Sequence, residues 1–132
     1  MITEDYVNFE TAKLLKEKGF DETSNTIGTY NNKGEFYLYG HERGYNHNRL
    51  STWYSAPTLQ MAMKWLREIY KLEVRSTYDY DKDWWWGSIN PMFDETDENS
   101  DIYQKALGFD YPGKSYEEAC EAAIKYCLEN LI

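Results

Sequence analysis

The stretch Leu72-Glu-Val-Arg-Ser-Thr-Tyr-Asp-Tyr-Asp-Lys-Asp-Trp-Trp-Trp-Gly-Ser-Ile89 decides the fold class. Between positions 72 and 79, every second residue is apolar or small and the residues between them are polar or charged, which predicts a half-buried strand. Asp81-Lys-Asp83 predicts a turn, and Trp84–Ile89 predicts the next strand. Successive strands without crossover helices favour an antiparallel sheet with helices on one face.

Three consecutive tryptophans are the most unusual feature of this stretch. Neighbouring residues on a strand point to opposite faces, so Trp84 and Trp86 share one side and Trp85 takes the other. One side can belong to the core. The other side then faces a helix, a protein partner or a ligand, because a cluster of exposed indoles is typical of a binding surface. A purely structural use of both sides is the alternative.

Helix and strand signals continue in both directions from this hairpin. Asn8 and Gly19 are typical of the beginning and end of a first helix, Pro57 and Thr58 open a second, and Ser115-Tyr-Glu-Glu118 is the capping box of a third. Between them we expect strands at Thr26–Tyr30, Glu35–Tyr39 and Leu50–Tyr54, and a short helical turn at Asp101–Leu107. The order α-βββ-α-ββ-α predicts an α+β fold, an antiparallel sheet of about five strands with three helices packed on one face, forming a single domain over residues 1–132.

The apolar composition is unusual for a folded chain of this length. Val, Ile, Leu and Phe account for only 24 of the 132 residues, and the net charge is −9, a combination typical of disordered chains. The 13 tyrosines and 5 tryptophans argue against disorder, because each aromatic side chain buries roughly 150–250 Å². The composition therefore predicts a globular domain with an aromatic core.

Several classes of protein are disfavoured by the same composition. No stretch approaches the roughly 18 apolar residues of a membrane span, and the acidic residues that follow Met1 do not form a secretory signal. An acidic chain is repelled by phosphate backbones, which argues against nucleic-acid binding. Cys120 and Cys127 lie on the apolar face of the last predicted helix, too far apart for a disulfide, which indicates reduced thiols in a cytoplasmic protein.

The middle of the chain is the only part in which basic residues predominate. Six basic and three acidic residues lie between positions 41 and 75, and the loop 41–49 contains both histidines and two of the four arginines. Two arginines can form bidentate hydrogen bonds with a phosphate or carboxylate, while an aromatic ring stacks on a ring of the ligand. A polar surface loop is the alternative. The candidate ligand-binding residues are Arg43, Arg49, His41, His47, Tyr45, Trp53 and Trp85.

Catalytic, cofactor and metal motifs are absent from the sequence. There is no GxSxG, Walker loop, GxGxxG, HExxH or CxxC pattern, and the spacing of His41 and His47 within a loop defines no acid–base geometry. We therefore expect no enzyme, no cofactor and no metal site. Asp79, Asp81 and Asp83 alternate as in a calcium loop, but Trp and Asn stand where that loop needs Gly and Glu, so a hairpin turn with surface acids is favoured over a weak cation site.

Three helical blocks of the chain resemble a family of small proteins from gut Bacteroidetes and their phages and prophages. The blocks begin Ile2-Thr-Glu-Asp-Tyr-Val-Asn-Phe, Ala56-Pro-Thr-Leu-Gln-Met-Ala and Ser115-Tyr-Glu-Glu-Ala-Cys, and they span residues 2–20, 56–68 and 115–131. The resemblance carries no catalytic or binding residue. It implies an intracellular, phage-encoded accessory protein.

Two hypotheses about function follow. The first is a binding protein that sequesters an anionic, ring-bearing, nucleotide-like small molecule, such as a host defence signal. The second is a protein–protein interaction module that inhibits or recruits a host protein through acidic and aromatic surfaces. Pairing of two copies through the tryptophan strand is a further possibility.

Overall fold

The computed structural model describes residues 2–23, 27–38, 47–94, 100–107 and 110–132. Its contacts divide the chain into two compact units, Met1–Met61 and Ala62–Ile132; a single domain over the whole chain stays a prediction. The elements in chain order are α1 (Phe9–Glu17), β1 (Gly28–Asn31), β2 (Phe36–Tyr37), β3 (Trp53–Ala56), α2 (Leu59–Tyr70), β4 (Leu72–Asp79), β5 (Trp84–Pro91), α3 (Ser100–Ala106), β6 (Tyr111–Gly113) and α4 (Tyr116–Tyr126).

The α+β class is confirmed, but the prediction of one five-stranded sheet under three helices is wrong. The strands form two three-stranded antiparallel sheets, with strand orders β2-β1-β3 and β4-β5-β6, and four α-helices occur in the part of the chain that the structure describes. Strand β6 escaped prediction because Tyr-Pro-Gly is too short to alternate and contains two residues that strands disfavour. Strand β3 begins later than predicted because residues 50–52 form a turn, in which the backbone N–H of Trp53 donates to the carbonyl of Leu50 at 3.4 Å.

The ends of α1 follow the predicted capping chemistry. The side chain of Asn8 accepts a 2.9 Å hydrogen bond from the backbone N–H of Thr11. At the other end Gly19 has a φ of +89°, and the backbone N–H of Phe20 donates to the carbonyl of Leu15 at 2.9 Å. These bonds satisfy backbone groups that a helix end leaves without partners. Helix α1 packs against β3 within the first unit.

In the second unit, α4 packs on one face of the β4-β5-β6 sheet. Ser115 caps the helix by accepting from the N–H of Glu118 at 3.1 Å, while the Glu118 carboxylate reaches back to the N–H of Lys114 at 2.7 Å. A Cβ added to Gly87 or Gly113 would collide with the backbone of Ala119. The two glycines therefore let the helix approach the sheet closely.

Aromatic residues are placed differently from the expected aromatic core. Among the residues that the structure describes, the buried apolar positions belong mainly to aliphatic residues, alanines and the two cysteines, with Phe20 and Trp65 as the buried aromatics. Other rings form half-buried clusters, such as Phe9 with Tyr30 and Tyr54. Tyr and Trp keep a polar group that favours the border between core and water. No helix in the described ranges has the length and apolar character needed to cross a membrane.

Candidate functional site

The strand register places the three consecutive tryptophans on two different faces. Trp85 lies opposite Tyr78 and Gly113, and Trp86 lies opposite Thr77 and Pro112. Residues directly opposite each other in an antiparallel sheet share a face. Because Gly113 lies under α4, Trp85 belongs to the covered face, and the indoles on either side of it belong to the opposite face.

Trp85 packs on rings of its own unit. Its ring centroid lies 5.2 Å from that of Tyr78 and 5.6 Å from that of Tyr116, the latter in an edge-to-face arrangement. Both distances lie within the range of favourable aromatic pairs. Trp85, predicted as a ligand contact, thus fills the space beside the first turn of α4.

On the opposite face, Trp84 and Trp86 line an open groove together with Lys82 and Pro112. The groove has a volume of about 350 Å³ and is lined mainly by apolar atoms. We call these four residues the tryptophan groove. A concave apolar surface with few polar groups is typical of ligand-binding sites.

Asp79 accepts hydrogen bonds from two of the residues that line the groove, Trp86 and Lys82. Its Oδ2 accepts a 3.0 Å hydrogen bond from Nε1 of Trp86, and its Oδ1 accepts from the backbone N–H groups of Asp81 at 3.1 Å and Lys82 at 3.3 Å. The hydrogen bond from Trp86 is the main reason why the pKa of the Asp79 carboxyl lies below its ordinary value. An ionised carboxylate therefore holds both the indole and the turn that carries Lys82.

Lys82 lies over the indole that Asp79 anchors. Its Nζ is 5.6 Å from the ring centroid of Trp86, within the range of a cation–π contact. The turn beneath it is fixed on the other side by Asp83, which has a φ of +51° and accepts a 2.5 Å hydrogen bond from the hydroxyl of Tyr78. The cation is thus carried by an ordered hairpin turn.

Two carboxylates of this turn accept hydrogen bonds from other groups of the hairpin. Asp79 and Asp83 are engaged by the groups just described, and within the described ranges no three metal-ligating side chains converge. The predicted turn between the two strands is present at residues 80–83, between β4 and β5.

The remaining predicted site residues belong to the first unit or lie outside the described residues. His41, Arg43 and Tyr45 fall in the part of the loop that is not described. His47 is buried, with 7% of its surface exposed, and its ring centroid lies 6.2 Å from that of Trp53. These residues stay candidates that the geometry does not test.

Arg49 is exposed, and its Nε lies 3.8 Å from a carboxylate oxygen of Asp21. Nearby, Lys16 supports the strand that carries Trp53: its Nζ donates to the carbonyl of Leu50 at 2.5 Å and to that of Trp53 at 2.9 Å. The side chain also lies over the ring of Tyr54. Burial lowers the pKa of the Lys16 ammonium. This lysine therefore acts as a structural tie in the first unit.

Lys82, Pro112 and Asp79 were not among the predicted site residues. The alternation that set Trp84 and Trp86 apart from Trp85 was a usable signal for the groove. Pro112 could not be placed without the pairing of β6 on β5, and Lys82 could not be distinguished from any other turn lysine.

Comparison of the chain with protein-family models, with curated proteins and with solved structures gives no match.

Proposed function

We propose that this chain is a binding protein that captures a ring-bearing, negatively charged small molecule of nucleotide-like chemistry, and that the tryptophan groove holds it. The observation that carries the proposal is the placement of Lys82 over Trp86, beside a second indole on the same open face. A planar ring gains stacking energy on an indole, worth about 1–3 kcal/mol for a nucleobase. A phosphate or carboxylate gains a charge-assisted contact with the ammonium.

Preorganisation supports the same proposal. A flexible lysine and a freely rotating indole lose conformational entropy when a ligand orders them, which weakens binding. Here the Asp79 carboxylate already holds the ring of Trp86 and the backbone of Lys82. The groove is therefore ready to receive a ligand with little further ordering.

The resemblance to phage and prophage proteins supplies the biological setting of the proposal. In that setting the chain is an accessory protein of the host cytoplasm, and the captured molecule is a host defence signal. The arginine loop at 41–49 stays an alternative predicted contact region; its described predicted residues are His47 and Arg49, and Trp53 follows in β3.

A protein–protein interaction module is the second candidate, and one observation favours it. Tyr80 lies at the tip of the β4–β5 hairpin with 86% of its surface exposed, and Asp79 and Asp81 flank it in the sequence. Tyrosine is enriched in protein interfaces because it combines a large apolar ring with a polar end. A Tyr80→Ala variant that loses a protein partner while retaining ligand binding would support this second function.

Indole N–H resonances give a direct test of the first function. We would titrate the full chain with the mono- and triphosphates of adenosine and uridine and follow the Nε1–H signals of its five tryptophans. We expect the signals of Trp84 and Trp86 to shift and that of Trp53 to stay in place. Trp84→Ala should abolish the shifts of Trp86, while Trp53→Phe, the matched control in the first unit, should leave them unchanged.

Two results would overturn the assignment of the ligand to the groove. No shift of any indole with any of these nucleotides would exclude nucleotide-like capture. A shift confined to Trp53 and lost in Arg49→Ala would move the site to the arginine loop. The melting temperature of Trp84→Ala, measured alongside, separates loss of binding from loss of folding.

A further inference from the structure

We propose that the groove selects ligands with a single phosphate group, so that a nucleoside monophosphate binds more tightly than the uncharged nucleoside and more tightly than the di- and triphosphates. This inference rests on the proposed function and names the ligand class of the same site.

The dimensions of the groove favour a small ligand. Its volume of about 350 Å³ lies near the lower end of the roughly 300–1,000 Å³ typical of small-molecule sites. Trp84 and Trp86 are two residues apart on one strand, which separates them by about 7 Å along the strand. That separation is on the scale of the distance between a nucleobase and its own phosphate. The groove therefore matches one ring and one adjoining anionic group.

The indoles of Trp84 and Trp86 have different surroundings, which indicates that they contact different parts of the ligand. Trp86 is anchored by Asp79 and has Lys82 over its ring. Trp84 is half-buried, and among the described residues it has no ring contact and no side-chain hydrogen bond. Trp84 is thus the platform for the ligand ring, and the Trp86–Lys82 pair is the place where the anionic group is held.

The charges around Lys82 limit how much negative charge the groove accepts. Of the residues that the structure describes, Lys82 is the one cation that lines the groove, and its neighbours in the turn, Asp81 and Asp83, are exposed carboxylates. Asp79 is held in its ionised form by Trp86 and by two backbone N–H groups. One phosphate can pair with the ammonium, but a chain of phosphates extending past it meets these carboxylates and is repelled.

The test is a comparison of adenosine with its mono-, di- and triphosphate in the presence of a chelator, since Mg²⁺ would neutralise the longer phosphate chains. Dissociation constants are read from tryptophan fluorescence at one fixed ionic strength. We expect the monophosphate to bind about tenfold more tightly than adenosine and than the triphosphate, which corresponds to roughly 1.4 kcal/mol.

Three variants identify the groups responsible. Lys82→Ala should remove the preference for the monophosphate over adenosine, while Lys33→Ala, an exposed turn lysine of the first unit, should preserve it. Asp81→Asn should strengthen binding of the triphosphate more than binding of the monophosphate, because it removes a repelling charge. Lys82→Gln, which retains most of the aliphatic stem, separates the effect of charge from loss of packing.

Each outcome bears on one of the two proposals. Equal affinities across the four compounds, or an affinity that rises with each added phosphate, would overturn the single-phosphate inference and leave capture at the groove intact. Absence of binding by all four compounds would overturn the proposed function itself.

Discussion

Nε1 of Trp86 donates a 3.0 Å hydrogen bond to Oδ2 of Asp79, which precedes it by seven residues on the neighbouring strand. The other oxygen of the same carboxylate accepts the N–H groups of Asp81 and Lys82. One acidic side chain therefore fixes the orientation of the indole and the conformation of the turn that carries the groove's cation. These hydrogen bonds order the surface of the hairpin on which the groove lies.

Asp79→Asn should loosen the groove without unfolding the second unit. Asparagine retains one acceptor oxygen but replaces the other with an NH₂ group, which cannot accept a hydrogen bond from the turn or from Trp86. We expect the Nε1–H signal of Trp86 to broaden and the affinity for adenosine monophosphate to fall several-fold. Asp110→Asn, at an exposed aspartate outside the groove lining, is the control; equal losses in both variants would contradict the positioning role.

The pH dependence of this anchor has a defined sign. Because the folded state lowers the pKa of Asp79 below an unfolded value of about 3.9, its stabilising effect is present above the unfolded pKa. It is lost as the pH falls through the folded pKa. The Nε1–H signal of Trp86 should therefore titrate with a midpoint below the ordinary pKa of an aspartate, and that titration should be missing in Asp79→Asn.

Gly87→Ala should lower the free energy of unfolding of the second unit by about 1–3 kcal/mol or more, the usual effect of overpacking. The added methyl group would meet the backbone of Ala119 in α4, which cannot rotate away as a flexible side chain would. Urea denaturation gives the free energy of unfolding. Ser88→Ala, one position along the same strand, is the control. A change at Gly87 no larger than that of the control would show that α4 can shift away from the sheet.

Trp85→Ala and Trp84→Ala should separate stability from binding. Trp85 is half-buried and contacts the rings of Tyr78 and Tyr116, so we expect its removal to lower the free energy of unfolding by about 1–3 kcal/mol, since each aromatic pair contributes about 0.5–1.5 kcal/mol. Trp84 lines the open groove, and its removal should have a much smaller effect on stability. Chemical denaturation and nucleotide titration of both variants check this, and a reversal of the two effects would contradict the assignment of faces.

Alkaline destabilisation is expected from the buried thiols. Burial raises the pKa of Cys127 to about 12, above an unfolded value of about 8.5. The resulting stabilisation is complete below the unfolded pKa and is lost as the pH rises through the folded pKa. Between about pH 8.5 and pH 12 the wild type should therefore lose more stability than Cys127→Ala does. Parallel stability curves for the two proteins in urea melts would contradict this.

Local signals predicted the elements whose determinants are close together in the sequence. Asn8 and Ser115 cap their helices, and Gly19 takes the left-handed conformation that ends α1. The alternation in β4 and β5 assigned Trp84 and Trp86 to one face and Trp85 to the other. These features depend on backbone groups within one or two turns or on the fixed period of a strand.

The tertiary structure decided how the strands were grouped and what surrounds each tryptophan. The period of a strand does not identify its neighbour, so the sequence by itself did not separate the predicted single sheet into two. Pro112 reaches Trp86 because β6 pairs with β5, and that pairing brings Gly87 and Gly113 together under Ala119. The sequence by itself determined that two indoles share a face. Close packing between residues distant in the chain decided which face α4 covers and which remains open as a groove.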